Sequence, residues 1–246
     1  MQTTAARSRD ADDFASLSAV QRVKRAGAAL GKVLANPEDT ENVLELLGVA
    51  NSGRVARART DRFFNTPAGK KLYDERRAID SRTIDIDALA ALPEGTLGHA
   101  YATFLRSRGL TPEVFDGAPA GIADPRRSYV VQRMRQTHDL WHVVTGCETD
   151  PAGEVALQAF LYAQTRTPGS AILALAGMLR ILRTSPAIVR DVIVLYRAGA
   201  RARSLASFAW EDHWDKPLSE VRAMLGLPVE PPTRTAAPRT AANRWA

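Results

Sequence analysis

Helix-starting and helix-stopping signals succeed one another along almost the whole chain, and no stretch alternates apolar and polar residues as a half-buried strand would. Leu17, Val20, Val23, Ala26, Leu30, Val33 and Leu34 recur at three- and four-residue steps until Asn36-Pro37 ends the pattern. Glu41–Leu47 reads as a second helix closed by Gly48. At Thr66-Pro67 a capping residue precedes a proline at the first helical position, which opens a helix through Leu72. Ile84–Leu92 is a short periodic segment ended by Pro93, and Leu97–Leu105 is the apolar part of a helix running toward Gly109. Tyr129–Val144 reads as a long helix stopped at Gly146. Asp150-Pro151 repeats the cap-plus-proline signature, and Pro168 and Pro186 divide the next stretch into helices at Val155–Thr165, Ser170–Leu182 and Ala187–Ser204. Pro217–Leu225, closed by Gly226, is the last helix. The expectation is an all-α protein: a single multi-helix domain over 17–228, between a flexible N-terminus (1–16) and a disordered tail (229–246) rich in Pro, Thr, Ala and Arg.

A chain of 246 residues has ample apolar content for one large core. Its formal charge of +6 is unevenly placed: between Val155 and Arg203 seven arginines stand against one acid, Asp191. An acidic partner is therefore expected, with anionic lipid, an anionic substrate and nucleic acid all compatible in charge. Cys147 is the only cysteine, so an intramolecular disulfide is excluded and a reducing compartment is expected. Met1–Asp13 carries Asp10, Asp12 and Asp13 and no apolar core, unlike a secretory signal or a transit peptide. The best apolar run, Ala171–Leu179, is stopped by Arg180, short of the roughly 18 residues a membrane span needs. The chain is expected to be soluble or bound at a membrane surface.

The chemistry concentrates in His138, Asp139, His142 and, after eleven intervening residues, Glu154. Two histidines at i and i+4 share a helix face, and they are two of only four in the chain. Imidazoles joined by a carboxylate make a nitrogen/oxygen donor set for a divalent transition metal. The Asp150 cap places Glu154 in the first turn of the next helix, and Gly153 beside it would let that helix approach closely. Asp139 stands about 100° around the helix from His138, where it is either a fourth ligand or a group that orients an imidazole. The bland alternative is two ordinary helix histidines beside solvated carboxylates. A hydrolase is another, with Asp139 as general base in a His-Asp-x-x-His variant of the zinc-protease helix, although Asp is a methylene shorter than the usual Glu. Cys147 is better placed as a bystander in the loop than as a thiolate ligand. Trp210-Glu211-Asp212-His213-Trp214 reads as structural, with Glu211 paired to an arginine such as Arg222.

His138-Asp139-x-x-His142-x11-Glu154 resembles the signature of the ubiquinone (coenzyme Q) biosynthesis protein four family, in a bacterial-type member. The resemblance includes Leu92-Pro93-Glu94-Gly95-Thr96-Leu97-Gly98 with Tyr101, then Arg133 and Arg135, Thr145-Gly146 and Gly153-Glu154. It continues through Tyr196-Arg197-Ala198-Gly199, Trp210-Glu211, Trp214, Pro217-Leu218, Arg222 and Leu225-Gly226, and so covers 17–228. It implies an all-helical, peripherally membrane-associated, usually dimeric protein that binds isoprenoid lipid and a divalent metal, most often zinc. His138, Asp139, His142 and Glu154 match the family's metal positions, with Asp139 and Glu154 as the groups able to act as acid or base. The implied activity is metal-dependent oxidative decarboxylation at C1 of a polyprenylated 4-hydroxybenzoate. The alternative is a non-catalytic lipid-binding scaffold that organises the other ubiquinone-biosynthesis enzymes. The implied location is the cytoplasmic, inner face of a bacterial cell membrane. Ile172, Leu173, Leu175, Met178, Leu179 and Leu182, with Ile188, Val189, Val192, Ile193 and Leu195, are core residues or part of a lipid groove under this reading. No nucleic-acid module accompanies the arginines, and nucleic acid is not expected as a partner.

Overall fold

The computed structural model describes residues 14, 17–36, 40–117, 119 and 122–231. Among them are eleven α-helices: α1 (Ala19–Ala35), α2 (Thr40–Ala50), α3 (Arg54–Phe64), α4 (Pro67–Asp74), α5 (Ile86–Ala90), α6 (Leu97–Ser107), α7 (Pro125–Thr145), α8 (Pro151–Thr165), α9 (Pro168–Ile181), α10 (Ile188–Arg201) and α11 (Leu218–Leu225). Two short 3-10 turns lie at Pro112–Phe115 and Trp210–Asp212. The only extended pairing among the described residues is an isolated bridge between Thr96 and Pro217. The chain is all-α, as its patterning predicts. Both the flexible N-terminus and the disordered tail expected from the sequence fall largely outside the described residues.

The helix boundaries arise from local chemistry. Thr66 accepts a hydrogen bond from the Gly69 N–H, and the Asp150 carboxylate accepts from Gly153 N–H, so both cap-plus-proline signatures start helices. Asp124-Pro125 is a third such signature: α7 begins there, four residues ahead of the expected Tyr129. Ile84–Leu92 contributes only one turn and a half, Ile86–Ala90. Gly48 does not close α2, which runs on to Ala50. A side chain at Gly48 would meet the ring of Phe14 at 2.6 Å, and Phe14 is buried there with the Arg25 guanidinium 4.7 Å from its ring centre. Helix α3 has no counterpart among the helices expected from sequence. Its buried stripe is Ala56, Thr60, Phe63 and Phe64, a helical spacing carried half by small or polar side chains.

The main core lies where α6, α7, α8, α10 and α11 meet. Tyr101, Leu105, Leu140, Trp141, Val144, Leu157, Phe160, Leu195, Trp210 and Leu225 are its large buried members. A second cluster joins Phe63, Phe64 and Leu72 to Val130 and Tyr129 of α7, and a third joins Ala29, Val33 and Leu46 to Ile172 and Leu173 of α9. The apolar runs of α9 and α10 divide between burial and exposure. Ala174, Ile188 and Leu195 are buried, while Leu175, Leu179, Val189 and Ile193 face solvent.

Arg133 of α7 is fully buried and forms a two-pronged pair with Glu211, one prong at 2.9 Å, while donating to the Phe208 carbonyl at 2.8 Å. Glu211 thus pairs with Arg133 and not, as expected, with Arg222. Removing one partner strands a charge in a medium that solvates it poorly. Glu211→Ala is expected to destabilise the fold by about 3–5 kcal/mol, whereas Arg133→Met combined with Glu211→Leu should cost clearly less, both read from urea unfolding midpoints.

Candidate metal centre

The C-terminal turns of α7 are rigidly seated. Thr137, Asp139, Leu140, Trp141, His142, Val143, Val144 and Thr145 are all buried. The helix ends at Gly146, which adopts the left-handed conformation at φ 70°. The last carbonyls of a helix need outside donors. Arg222 of α11 supplies them, with Nε donating to Val144 O at 2.9 Å and Nη2 to Val143 O at 3.1 Å. The chain then reverses through 146–150, and Asp150 starts α8 with Glu154 in its first turn.

This reversal brings His138, His142 and Glu154 together, one donor atom from each lying within 4.8 Å of the others. The two imidazole rings are 4.9 Å apart at 69°. His142 is the fixed member. Phe104 of α6 stacks on its ring at 5.5 Å, and Arg108 lies 3.9 Å over Phe104. Its Nδ1 is 3.0 Å from the Cys147 carbonyl oxygen. A carbonyl can only accept, so Nδ1 carries the proton and Nε2 presents its lone pair, 3.3 Å from Glu154 Oε1. Ligands held at about 2.0–2.2 Å around a tetrahedral ion stand roughly 3.4 Å from one another. The His142–Glu154 separation already matches this, and the donor atom of half-exposed His138 lies within 4.8 Å of both. The residues present therefore fit a divalent metal through two nitrogens and one oxygen. The side chain of His142 is 1% exposed, against 34% for His138 and 39% for Glu154, so the centre opens on one side only.

Asp139 is buried and stands outside that group of three. One of its carboxylate oxygens lies 3.6 Å from His138 Nδ1, beside the imidazole nitrogen rather than among the converging donors. Tyr101 of α6 is fully buried, and its hydroxyl has no hydrogen-bond partner among the described residues. Burial, then the charge of Asp139, pushes that phenol above its ordinary range. Burial acts to lower the pKa of His142, but the hydrogen bond and charge of Glu154, the Cys147 carbonyl and Asp139 together outweigh it, and the net shift is upward.

The sequence names the donors but not what holds them. Phe104, Arg108, Arg222 and the Cys147 carbonyl all act across turns or across helices. Arg108 donates to Glu148 and to Thr149, at 3.3 Å for the latter, which fastens the reversal to α6. Gly153 has a different purpose from the one expected. A Cβ there would come within 2.0 Å of the Glu148 carbonyl oxygen, so the glycine admits the backbone of the loop rather than the body of α7. His99, which matches no metal pattern, has Nδ1 3.1 Å from the carbonyls of Ala90 and Leu92.

Gly153→Ala is expected to displace Glu148 and Glu154 together, costing about 1–3 kcal/mol in unfolding free energy and weakening zinc affinity in equilibrium dialysis. Proton and metal compete for His142 Nε2. Because the metal-free pKa of His142 is raised, zinc affinity should fall as pH drops through that raised value, level off above it, and release a proton on binding. Calorimetric titrations between about pH 5 and 8 in buffers of different ionisation enthalpy measure both effects.

The model of the coenzyme Q (ubiquinone) biosynthesis protein Coq4 family matches residues 12–231. A mitochondrial ubiquinone biosynthesis protein COQ4 homolog from Danio rerio is 34% identical over 216 residues, 85% of this chain and 78% of that protein. The corresponding protein of Bos taurus is 30% identical over 220 residues, 88% of this chain and 82% of its own length. Among solved structures, a ubiquinone biosynthesis protein from Nostoc punctiforme superposes with a TM-score of 0.68 at 31% identity, covering 83% of this chain and 97% of that one. A family match over nearly the whole length and a shared fold converge with the placement of His138, His142 and Glu154: the chain belongs to the coenzyme Q (ubiquinone) biosynthesis protein Coq4 family.

Proposed function

We propose that this protein is a metal-dependent enzyme of ubiquinone biosynthesis that oxidatively decarboxylates C1 of a polyprenylated 4-hydroxybenzoate. The observation that carries this reading is the one-sided centre, in which a buried, tautomer-fixed His142 meets His138 and Glu154 at a mouth open to solvent. A sealed structural site would more often use four protein ligands, commonly cysteines.

His138, His142 and Glu154 would hold the metal, for which zinc is the leading assignment. When bound, such an ion supplies Lewis acidity to the ring carboxylate and to charge developing on the ring as carbon dioxide departs. The Cys147 carbonyl keeps Nε2 of His142 free for coordination. Asp139, against His138 Nδ1, orients that imidazole or exchanges a proton with it. Glu154, at the mouth, is the carboxylate able to move a proton between substrate and solvent. The ring carbon is oxidised by two electrons, which zinc cannot accept. Dioxygen is the two-electron oxidant this reading requires: C1 loses carbon dioxide and gains a hydroxyl, water is consumed, and dioxygen leaves as hydrogen peroxide.

The polyprenyl tail needs an apolar surface. Leu175 and Leu179 on α9 and Val189 and Ile193 on α10 are exposed at i, i+4 spacing, and no described helix is long and apolar enough to cross a membrane. Surface attachment at the inner face of a bacterial membrane, aided by arginines such as Arg180, Arg183 and Arg190, completes the proposal. A homodimer working beside other ubiquinone-biosynthesis enzymes belongs to the same reading. The same exposed side chains support the second reading, a lipid-binding scaffold without catalysis.

His142→Ala separates the two. The enzyme reading expects the variant to stay folded and lipid-bound, to lose its metal, and to decarboxylate at least about 100-fold more slowly, so that the carboxylated precursor accumulates. Decarboxylation that persists in the purified, metal-free variant would overturn the mechanism. Wild-type protein that binds metal and lipid but leaves the precursor unchanged under dioxygen would favour the scaffold.

A further inference from the structure

Tyr101 of α6 is fully buried, yet its hydroxyl meets no hydrogen-bond partner among the described residues. Asp139 of α7 is buried as well, and its one ion pair among those residues is the 3.6 Å approach to His138 Nδ1. A buried phenol without an acceptor and a buried carboxylate without a full set of donors are each costly. Each offers what the other lacks.

A ladder of contacts sets α6 against α7. At one end Glu211 pairs with Arg133 of α7, while the nearby Trp214 carbonyl accepts from the Gly98 N–H of α6 at 2.8 Å. The Trp214 ring stacks on Tyr101 at 5.6 Å. In the middle Phe104 stacks on His142 at 5.5 Å. At the other end Arg108 donates to Thr149, just past the end of α7, at 3.3 Å. Over this contact the two helices therefore run in the same direction. Tyr101 precedes Phe104 by three residues, and Asp139 precedes His142 by three. Each thus lies about 4.5 Å back along its axis, on the face its helix turns to the other. That register brings the phenol and the carboxylate to one level between α6 and α7. In keeping with it, burial first and then the charge of Asp139 raise the phenol above its ordinary range.

We propose that Tyr101 is a positioning residue of the metal centre: with the metal bound, its hydroxyl donates to the Asp139 carboxylate, which accepts from His138 Nδ1–H and so presents His138 Nε2 to the ion. The assignment rests on His138, His142 and Glu154 being the ligands, and is independent of the reaction they serve. The two imidazoles are then held alike. His142 has its Nδ1 proton on the Cys147 carbonyl, and His138 has its own on Asp139. A carboxylate that accepts from an imidazole and a phenol has a donor for each of its oxygens.

The test uses the full chain and zinc alone. The wild type should bind zinc in equilibrium dialysis, and His142→Ala should not. Tyr101→Phe keeps the ring and its stack on Trp214 and removes only the hydroxyl. Its metal-free urea midpoint should match the wild type, because no hydrogen bond of the metal-free chain is lost. Its zinc affinity should fall about tenfold, the usual cost of losing a group that orients a ligand. Asp139→Asn should weaken zinc binding at least as much. Tyr101→Phe combined with Asp139→Asn should bind no more weakly than Asp139→Asn alone, since the first residue acts through the second. The visible spectrum of the cobalt(II)-loaded protein should change in the same sense in both single variants. Tyr129→Phe is the control: it removes a hydroxyl 2.8 Å from the Leu72 carbonyl, and should lower the urea midpoint while leaving zinc affinity unchanged. A wild type that binds no zinc overturns the ligand assignment and the role of Tyr101 together. If the wild type and Tyr101→Phe bind zinc equally, or the losses in the double variant add, the role of Tyr101 alone is overturned.

Discussion

The hydrogen bond from His142 Nδ1 to the Cys147 carbonyl is the contact on which the candidate centre depends, because it couples the tautomer of a ligand to the path of the adjoining loop. If the loop moved away, Nδ1 would lose its acceptor and Nε2 would lose the geometry that sets it 3.3 Å from Glu154. Much of the surrounding structure holds that loop in place. Gly146 turns the chain out of α7 at φ 70°, Arg108 fastens Glu148 and Thr149 to α6, and Asp150 restarts helix at α8. Arg222 meanwhile satisfies the α7 carbonyls that the helix itself leaves open. Two helices besides α7, α6 through Arg108 and α8 through its start at Asp150, thus restrain one carbonyl oxygen, which is the kind of outer support that keeps a metal ligand oriented.

The parts of this arrangement that are legible in the sequence are those fixed by local rules. His138 and His142 share a face because a helix has 3.6 residues per turn, and Glu154 occupies a first turn because Asp150-Pro151 can only begin a helix. The Cys147 carbonyl carries no sequence signal, since every residue has one. Phe104 and Arg108 belong to a helix tens of residues away, and only packing shows which face of α6 meets His142. The partner of Glu211 is hidden for the same reason: Arg133 and Arg222 are equally plausible in sequence, and their separate tasks come from tertiary position. In sequence, Gly48 and Gly153 read as a helix stop and as a helix–helix contact. Each instead makes room for a particular group, the Phe14 ring and the Glu148 carbonyl.

The surface of α9 and α10 combines two kinds of constraint on one pair of helices. Ile188 and Leu195 are drawn into the core, and the exposed Val189 and Ile193 stand one position after Ile188 and two before Leu195, so α10 buries one stripe and presents another. Leu175 and Leu179 do the same on α9, beside exposed Arg180. A solvated helix has no need of a second apolar stripe, and a spanning helix would not tolerate the arginines. Under the proposed lipid-binding reading, apolar side chains bordered by cations match the boundary between headgroups and hydrocarbon.

Arg133, fully buried, and Arg59, partly buried, show how differently one fold can treat the same charge. Arg133 has an orphan Nε, as Arg59 does, so an unpaired nitrogen alone does not distinguish them. The difference lies in net charge. Arg133 has both carboxylate oxygens of Glu211 and a backbone carbonyl, so its charge is cancelled by the chain itself. Among the described residues, the charges that act on Arg59 are those of Arg127 and Arg62, and both oppose its own. Replacing Arg59 with an apolar residue would remove that cost without breaking any hydrogen bond seen among the described residues.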